Sequence, residues 1–303
     1  MLLVFRLPLL VAFLFILSSA NALAQAKVVT SIKPLQLIAA AITDGVSTPS
    51  VLIPANQSPH HFSLRPSDVR RVIEADVLLW VGPGLETYLS RVIAQSAKDA
   101  QIIEAAKIDG ILLLDLQEAG HDHEHEHAED EPYDPHLWLN TDNALLIAQT
   151  LVTELAQSDP ANAPSYRRNF DRFQTQIDAL STQLHERLLP LASSQYAVYH
   201  NGTHYFEQQF GLQHLFVLVP DHEQQPGVRH LIAMREQVAA LQPSCLLTDI
   251  NANQATINTV FQNSNIRQAS LDTLGDGVAV SRDAYLQLIE NLAQSVQQCV
   301  SPQ

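Results

Sequence analysis

Positive charge is scarce in this chain. Seventeen Lys and Arg stand against 32 Asp and Glu over 303 residues, a formal net charge of −15. Phosphate contacts need Lys and Arg, so this balance argues against a nucleic-acid partner and for a surface that gathers cations. Cysteine is almost absent as well, with only Cys245 and Cys299. No run after the first 26 residues has the length and purity of a membrane-spanning helix, which needs roughly 20 apolar residues. No GxSxG string occurs, so there is no sign of a serine nucleophile on a strand–helix elbow. No sequence repeat relates the first half of the chain to the second.

What is present begins with a leader. Arg6 is followed by the apolar run LPLLVAFLFIL (7 to 17) and then by SSANALAQA, with small residues before Ala24 and Ala26. This is the layout of a secretory signal peptide, expected to be cleaved after Ala24 or Ala26. Residues 1–26 are therefore set apart, and about 277 remain, long enough for two domains. No lipobox cysteine lies near the cleavage region, which points to a soluble protein of a Gram-negative periplasm. In that oxidising compartment a cysteine pair reads as a disulfide ahead of a metal site or two thiols. Cys245–Cys299 would close a 54-residue loop.

The remaining pattern alternates strands and helices. VVTSI (28–32), SVLIP (50–54), DVLLWVG (76–82), QIIEAA (101–106) and ILLLDL (111–116) read as strands. PLQLIAAAI (34–42), RPSDVRRVIEA (65–75), LETYLSRVIAQ (85–95) and TDNALLIAQTLVTELAQ (141–157) read as helices, the last capped near Thr141 or Asp142. One long helix is expected from 161 to 189, with Phe170, Phe173, Ile177, Leu180, Leu184 and Leu188 as its apolar stripe. A second series places strands at 196–200, 214–220, 245–250 and 266–272, and helices at 228–241, 253–262 and 282–300. The expectation is an α/β fold of two lobes, each a mainly parallel sheet flanked by helices, joined by one long rigid helix. Its divisions are a signal peptide (1–26), an N-terminal lobe (27–158), a linking helix (159–190) and a C-terminal lobe (191–303).

Ligands of open α/β sheets bind beyond the carboxyl ends of the strands. Metal-capable side chains occupy three such places: His60 with His61 after the second strand, His200 at the end of YAVYH, and Asp272 at the end of IRQASLD; a fourth, His136, sits in YDPHLWLN just before the helix that starts near Thr141. Each also has a plain reading. A loop histidine is commonly a hydrogen-bonded surface group, and Asp272 can cap the turn DTLG.

The segment SPHHFSLRPSDVRRVIEADVLLWVGPGLE (58–86) resembles a conserved-order motif of the metal-specific periplasmic solute-binding proteins of ABC transporters. DPHLWLN, YHNGTHYFEQQFGL, QQPGVRHL and LDTLG follow in the same order, so the resemblance covers residues 27 to 300. Within that family the chain is similar to the ZnuA-type, zinc-binding members. The resemblance implies a cleft between two lobes, with His60, His136 and His200 as Zn²⁺ ligands and Asp272 at a position where other members supply a carboxylate. Manganese members carry a carboxylate where this chain has His200, and three imidazoles suit zinc. Some zinc members have an acidic residue just before the first histidine; here it is Pro59, which leaves water, Asp272 or His61 as the fourth ligand. The function implied is capture of Zn²⁺ in the periplasm by a monomer and delivery to the permease of an ABC importer.

HDHEHEHAEDE (121–131) holds His121, His123, His125 and His127 among six carboxylates. Its composition cannot build a core. It is expected to be an accessory, low-affinity metal segment, against the simpler reading of a solvated acidic loop. Two other functions compete with capture: a zinc-dependent hydrolase using three histidines and a water, against which no general base is evident, and an adhesin or metallochaperone without a transporter.

Overall fold

The computed structural model describes residues 25–97, 99–115, 133–219, 226–262 and 266–301. Residues 1–24 of the leader and the His-rich segment 121–131 lie outside them.

The first half is built on a four-stranded parallel sheet. Strands β1 (Val28–Thr30), β2 (Ser50–Val51), β3 (Val77–Trp80) and β4 (Gln101–Glu104) lie in the order β2-β1-β3-β4. The unbroken apolar run of β3 is buried throughout, as a strand covered on both faces must be. Helices α1 (Lys33–Thr43), α2 (Pro66–Ile73), α3 (Thr87–Ser96) and α4 (Thr141–Ser158) belong to this half. Pro34 starts α1, where its missing N–H costs nothing. Every residue of α1 from Pro34 to Thr43 is buried, because α1 packs against α4, α5 and α9 at once.

Helix α5 (Ala163–Leu188) is the long joining helix. Its 26 residues span about 39 Å at 1.5 Å per residue. Tyr166, Phe173, Ile177, Leu184 and Leu188 form its buried stripe, with Phe170 and Leu180 partly covered beside it. Asn169 on that stripe donates to the carbonyls of Ile42 and Asp44 at 2.8 and 2.9 Å, satisfying the end of α1. Near its other end Arg187 forks onto both oxygens of Glu290 in α9 at 2.9 and 3.0 Å. One helix thus grips elements from before and after it.

The second half holds strands β5 (Tyr196–Val198), β6 (Cys245–Asp249) and β7 (Arg267–Leu271), parallel and in that order. Helices α6 (His204–Phe210), α7 (Val228–Leu241), α8 (Gln254–Val260) and α9 (Ala284–Val300) cover it. The expected strand at 214–220 forms only one parallel bridge, Val198 to Val217. Its backbone still tracks β5: Leu215, Leu218 and Val219 donate to Tyr196, Val198 and Tyr199. Cys245 and Cys299 form the disulfide, with Cα atoms 5.5 Å apart, inside the range a disulfide accepts. It ties the first residue of β6 to α9.

Three sequence expectations are revised. Residues 111–114 are not a strand; Asp115 makes a single antiparallel bridge to Tyr133. Helix α6 was not expected. The cap of α4 is Asn140, whose side chain accepts from the amides of Asp142 and Asn143, so Thr141 is the first helical residue.

Candidate metal centre

Three histidines meet where the two sheets present their carboxyl ends. His60, His136 and His200 each offer one ring nitrogen, and those nitrogens lie within 4.8 Å of one another. The ring centroids are 5.5 Å (His60–His136), 6.1 Å (His60–His200) and 5.3 Å (His136–His200) apart. They border a cavity of about 340 Å³. Residues 57–60 form one side of it, 249–251 and 271–274 another.

His60 stands in the loop between β2 and α2. Arg71 of α2 donates to the carbonyl of Val51 at the end of β2, and Asp68 accepts from the Arg65 amide at 2.8 Å. These bonds fix both ends of the loop. In its middle, Tyr88 of α3 donates to the carbonyl of Pro59 at 2.9 Å, and Ser58 Oγ accepts the His60 amide at 3.2 Å.

His136 is the most deeply buried of the three, 6% exposed. Asp134 Oδ1 receives both the His136 amide (3.0 Å) and its Nδ1 (2.7 Å). A carboxylate at Nδ1 holds the proton there and leaves Nε2 with a lone pair to give. Asp134 is held in turn by Tyr205 of α6, which donates to its backbone carbonyl at 2.7 Å and accepts from the Leu114 amide at 3.0 Å. Burial pushes the Tyr205 phenol well above its ordinary range, so it remains a donor.

The turn that carries His136 (Leu137–Leu139) precedes α5 in the chain but is anchored by residues that follow α5. Trp138 donates to the carbonyl of Thr273 at 3.0 Å, and Tyr285 of α9 donates to that of Trp138 at 2.7 Å. Gln209 of α6 exchanges two bonds with Thr141, at 2.7 and 2.9 Å.

His200 lies two residues past β5. Gly202 follows in the bend: a Cβ there would sit a tight 3.3 Å from His200 Nδ1 and in ordinary contact, 3.7 Å, with His136 Nε2. A side chain at 202 therefore presses on the His200 ring.

Asp272 borders the same cavity, but it is not in the histidine cluster. Its Oδ1 and Oδ2 accept the amides of Asp276 and Gly277, both at 2.9 Å, so it closes a turn. His61 is exposed and outside the cluster. His204 stands behind the site, its Nδ1 3.8 Å from Asp134 Oδ2. His121, His123, His125 and His127 lie outside the described residues.

Sequence reasoning passed over Asp134, Tyr205, Gly202 and Asp249. Asp249 ends β6 and borders the cavity. Burial pushes its carboxyl up to about 6, against the opposing pull of His136. The only signal for these residues was proximity in sequence to a histidine or to a strand end.

Chemically, three neutral imidazoles around one point bind a borderline-soft divalent cation and leave a fourth position open.

Known proteins match across most of the chain. The family described as "Zinc-uptake complex component A periplasmic" matches residues 28–299. A relative in Yersinia pestis, "High-affinity zinc uptake system protein ZnuA", is 33% identical over 308 residues, covering 96% of each chain. Among solved structures, a crystal structure of ZnuA superimposes with a TM-score of 0.78 at 22% identity, over 91% of this chain and 99% of the other. The solute-binding protein FpvC of Pseudomonas aeruginosa with Mn²⁺ does so at 0.75 and 24%, over 91% and 98%. These two likenesses establish the shared fold.

Proposed function

Since the chain belongs to the ZnuA family of periplasmic zinc-uptake components, we propose that it captures Zn²⁺ and delivers it to the permease of an ABC importer. The chain is a transport component and not an enzyme, as its family is. The observation that carries the reading is the convergence of His60, His136 and His200, with their nitrogens within 4.8 Å. FpvC, of the same fold, holds Mn²⁺, so the metal must be argued from the donors and not from the fold. Among the described residues the cluster holds three imidazoles and no carboxylate, which favours zinc over a harder cation.

Capture needs neutral imidazoles, so binding weakens as pH falls below about 6. Release follows from how the ligands are mounted. His136 is tied to residues after α5 and lies beside His200, whereas the His60 loop is tied to β2, α2 and α3. A shift of that loop when the permease docks lengthens one metal–nitrogen bond and leaves two.

The working divisions remain a signal peptide (1–26) cleaved near Ala24 or Ala26, an N-terminal lobe (27–158), a linking helix (159–190) and a C-terminal lobe (191–303). The two sheets on either side of α5 support them. The protein acts in the periplasm as a monomer and without nucleic acid. Among the described residues no helix is long and apolar enough to cross a membrane. The segment 121–131 serves as a weak accessory for zinc.

The hydrolase reading lacks a base. The letters HExxH do occur, at 123–127, but in a charged run with no apolar helical face. The test is reconstitution. The zinc-loaded chain should stimulate the ATPase of its importer, and a His136→Ala chain should not. Turnover of simple esters by the zinc-loaded chain, without stimulation, would favour the hydrolase.

A further inference from the structure

We propose that Asp249, not Asp272, is the carboxylate of the metal site, and that it accepts a hydrogen bond from the water filling the fourth position of the bound cation. The inference rests on the zinc-capture reading and names a residue that reading does not require.

Position comes first. Asp249 is the last residue of β6, between β5, which leads to His200, and β7, which leads to Asp272. Its register partner on β7 is Leu271. Asp249 and Asp272 therefore leave adjacent strands at the same end of the sheet, and both border the histidine cavity.

Their oxygens are used differently. Both oxygens of Asp272 accept turn amides at 2.9 Å. Asp272 keeps lone pairs beyond those two bonds, but its carboxylate is already satisfied by the turn it closes. Asp249 Oδ2 is buried and has no hydrogen-bond partner among the described residues. A buried carboxylate oxygen without a donor is costly. Such an atom at the rim of a cation site is explained once the cation and its water are in place. The cation balances its charge, and the water supplies the missing donor.

Range then decides between direct and indirect contact. Asp249 is not among the residues whose ligand atoms lie within 4.8 Å of one another. One intervening water fits that spacing better than a metal–oxygen bond. Three histidines and one solvent molecule also complete the four-coordinate geometry of zinc. A carboxylate that orients a metal-bound group typically changes metal affinity by about 10–100-fold.

The test uses the full mature chain and zinc itself, in chelator competition, with thermal unfolding of each metal-free form alongside. Asp249→Asn should bind zinc about 10–100-fold more weakly. Its metal-free form should melt at or above the wild-type temperature, because an unbalanced charge has been removed. Asp272→Asn should bind zinc within about threefold of wild type and melt lower, because its amide keeps one acceptor oxygen and loses the other turn bond. Asp249→Glu keeps the charge and should recover most of the affinity. It also serves if the amide variant fails to fold. Wild-type affinity in Asp249→Asn overturns the inference. So does a loss matched by an equal fall in metal-free stability, or a larger loss in Asp272→Asn. A wild-type chain that itself fails to bind zinc tightly overturns the zinc reading, and the inference with it.

Discussion

At the scale of single residues, the site depends on groups that never touch the cation. Asp134 fixes which nitrogen of His136 faces the cavity. Asp134→Ala should therefore lower zinc affinity about 10–100-fold, read by chelator competition, and should also lower the melting temperature of the metal-free chain, read by calorimetry, because the buried His136 amide loses its acceptor. Away from the site, Glu86 is fully buried, and burial pushes its carboxyl from 4.5 to about 7 despite the Gly82 and Val81 amides. A carboxyl raised in the folded state holds its proton longer than in the unfolded chain. Its contribution is therefore complete below about pH 4.5 and is lost as pH rises to about 7, on the order of 3 kcal/mol at 1.36 kcal/mol per unit. Urea unfolding of the metal-free Glu86→Gln chain between pH 5 and 8 should show that downward slope removed. A slope unchanged from wild type would place its origin elsewhere.

At the scale of elements, the long periodic ones were legible and the short or docked ones were not. The stripe of α5 was readable because Phe173, Ile177, Leu184 and Leu188 repeat at helical spacing over many turns. Phe173 is 1% exposed and packs on the ring of Tyr285, with centroids 5.8 Å apart. Phe173→Ala should cost about 3–5 kcal/mol in denaturant unfolding. The run ILLLDL read as a strand because it is apolar, yet Leu112 and Leu113 are 40% and 41% exposed. No sheet edge receives it; instead Asn143 takes up the Leu112 amide and carbonyl. Helix α6 was missed because seven residues after a bend carry too little period to see. Its burial of Tyr205, Phe206 and Phe210 is a tertiary fact. His60 and His200 stood out after strands and His136 just before a helix, and the motifs resembling a known family singled out all three. Asp249 and Tyr205 could not stand out, since what marks them is an orphaned oxygen and a bond across the fold.

At the scale of the whole molecule, two sheets lie on either side of one long helix, and a disulfide ties the second sheet to α9. The Cys245–Cys299 link closes 54 residues, worth about 4 kcal/mol in the loop-entropy account. Replacing both cysteines by serine should lower stability by about that amount and leave zinc affinity within a fewfold, because neither cysteine borders the cavity. The central claim is that the cleft, and not the histidine-rich run at 121–131, is the working zinc site. The most direct measurement is calorimetric zinc titration of the mature chain lacking residues 121–131, beside the same chain with His200→Ala. One tight site is expected in the first, and its loss or severe weakening in the second. Loss of tight binding on deleting 121–131, with His200→Ala alone leaving the intact chain's affinity unchanged, would contradict it.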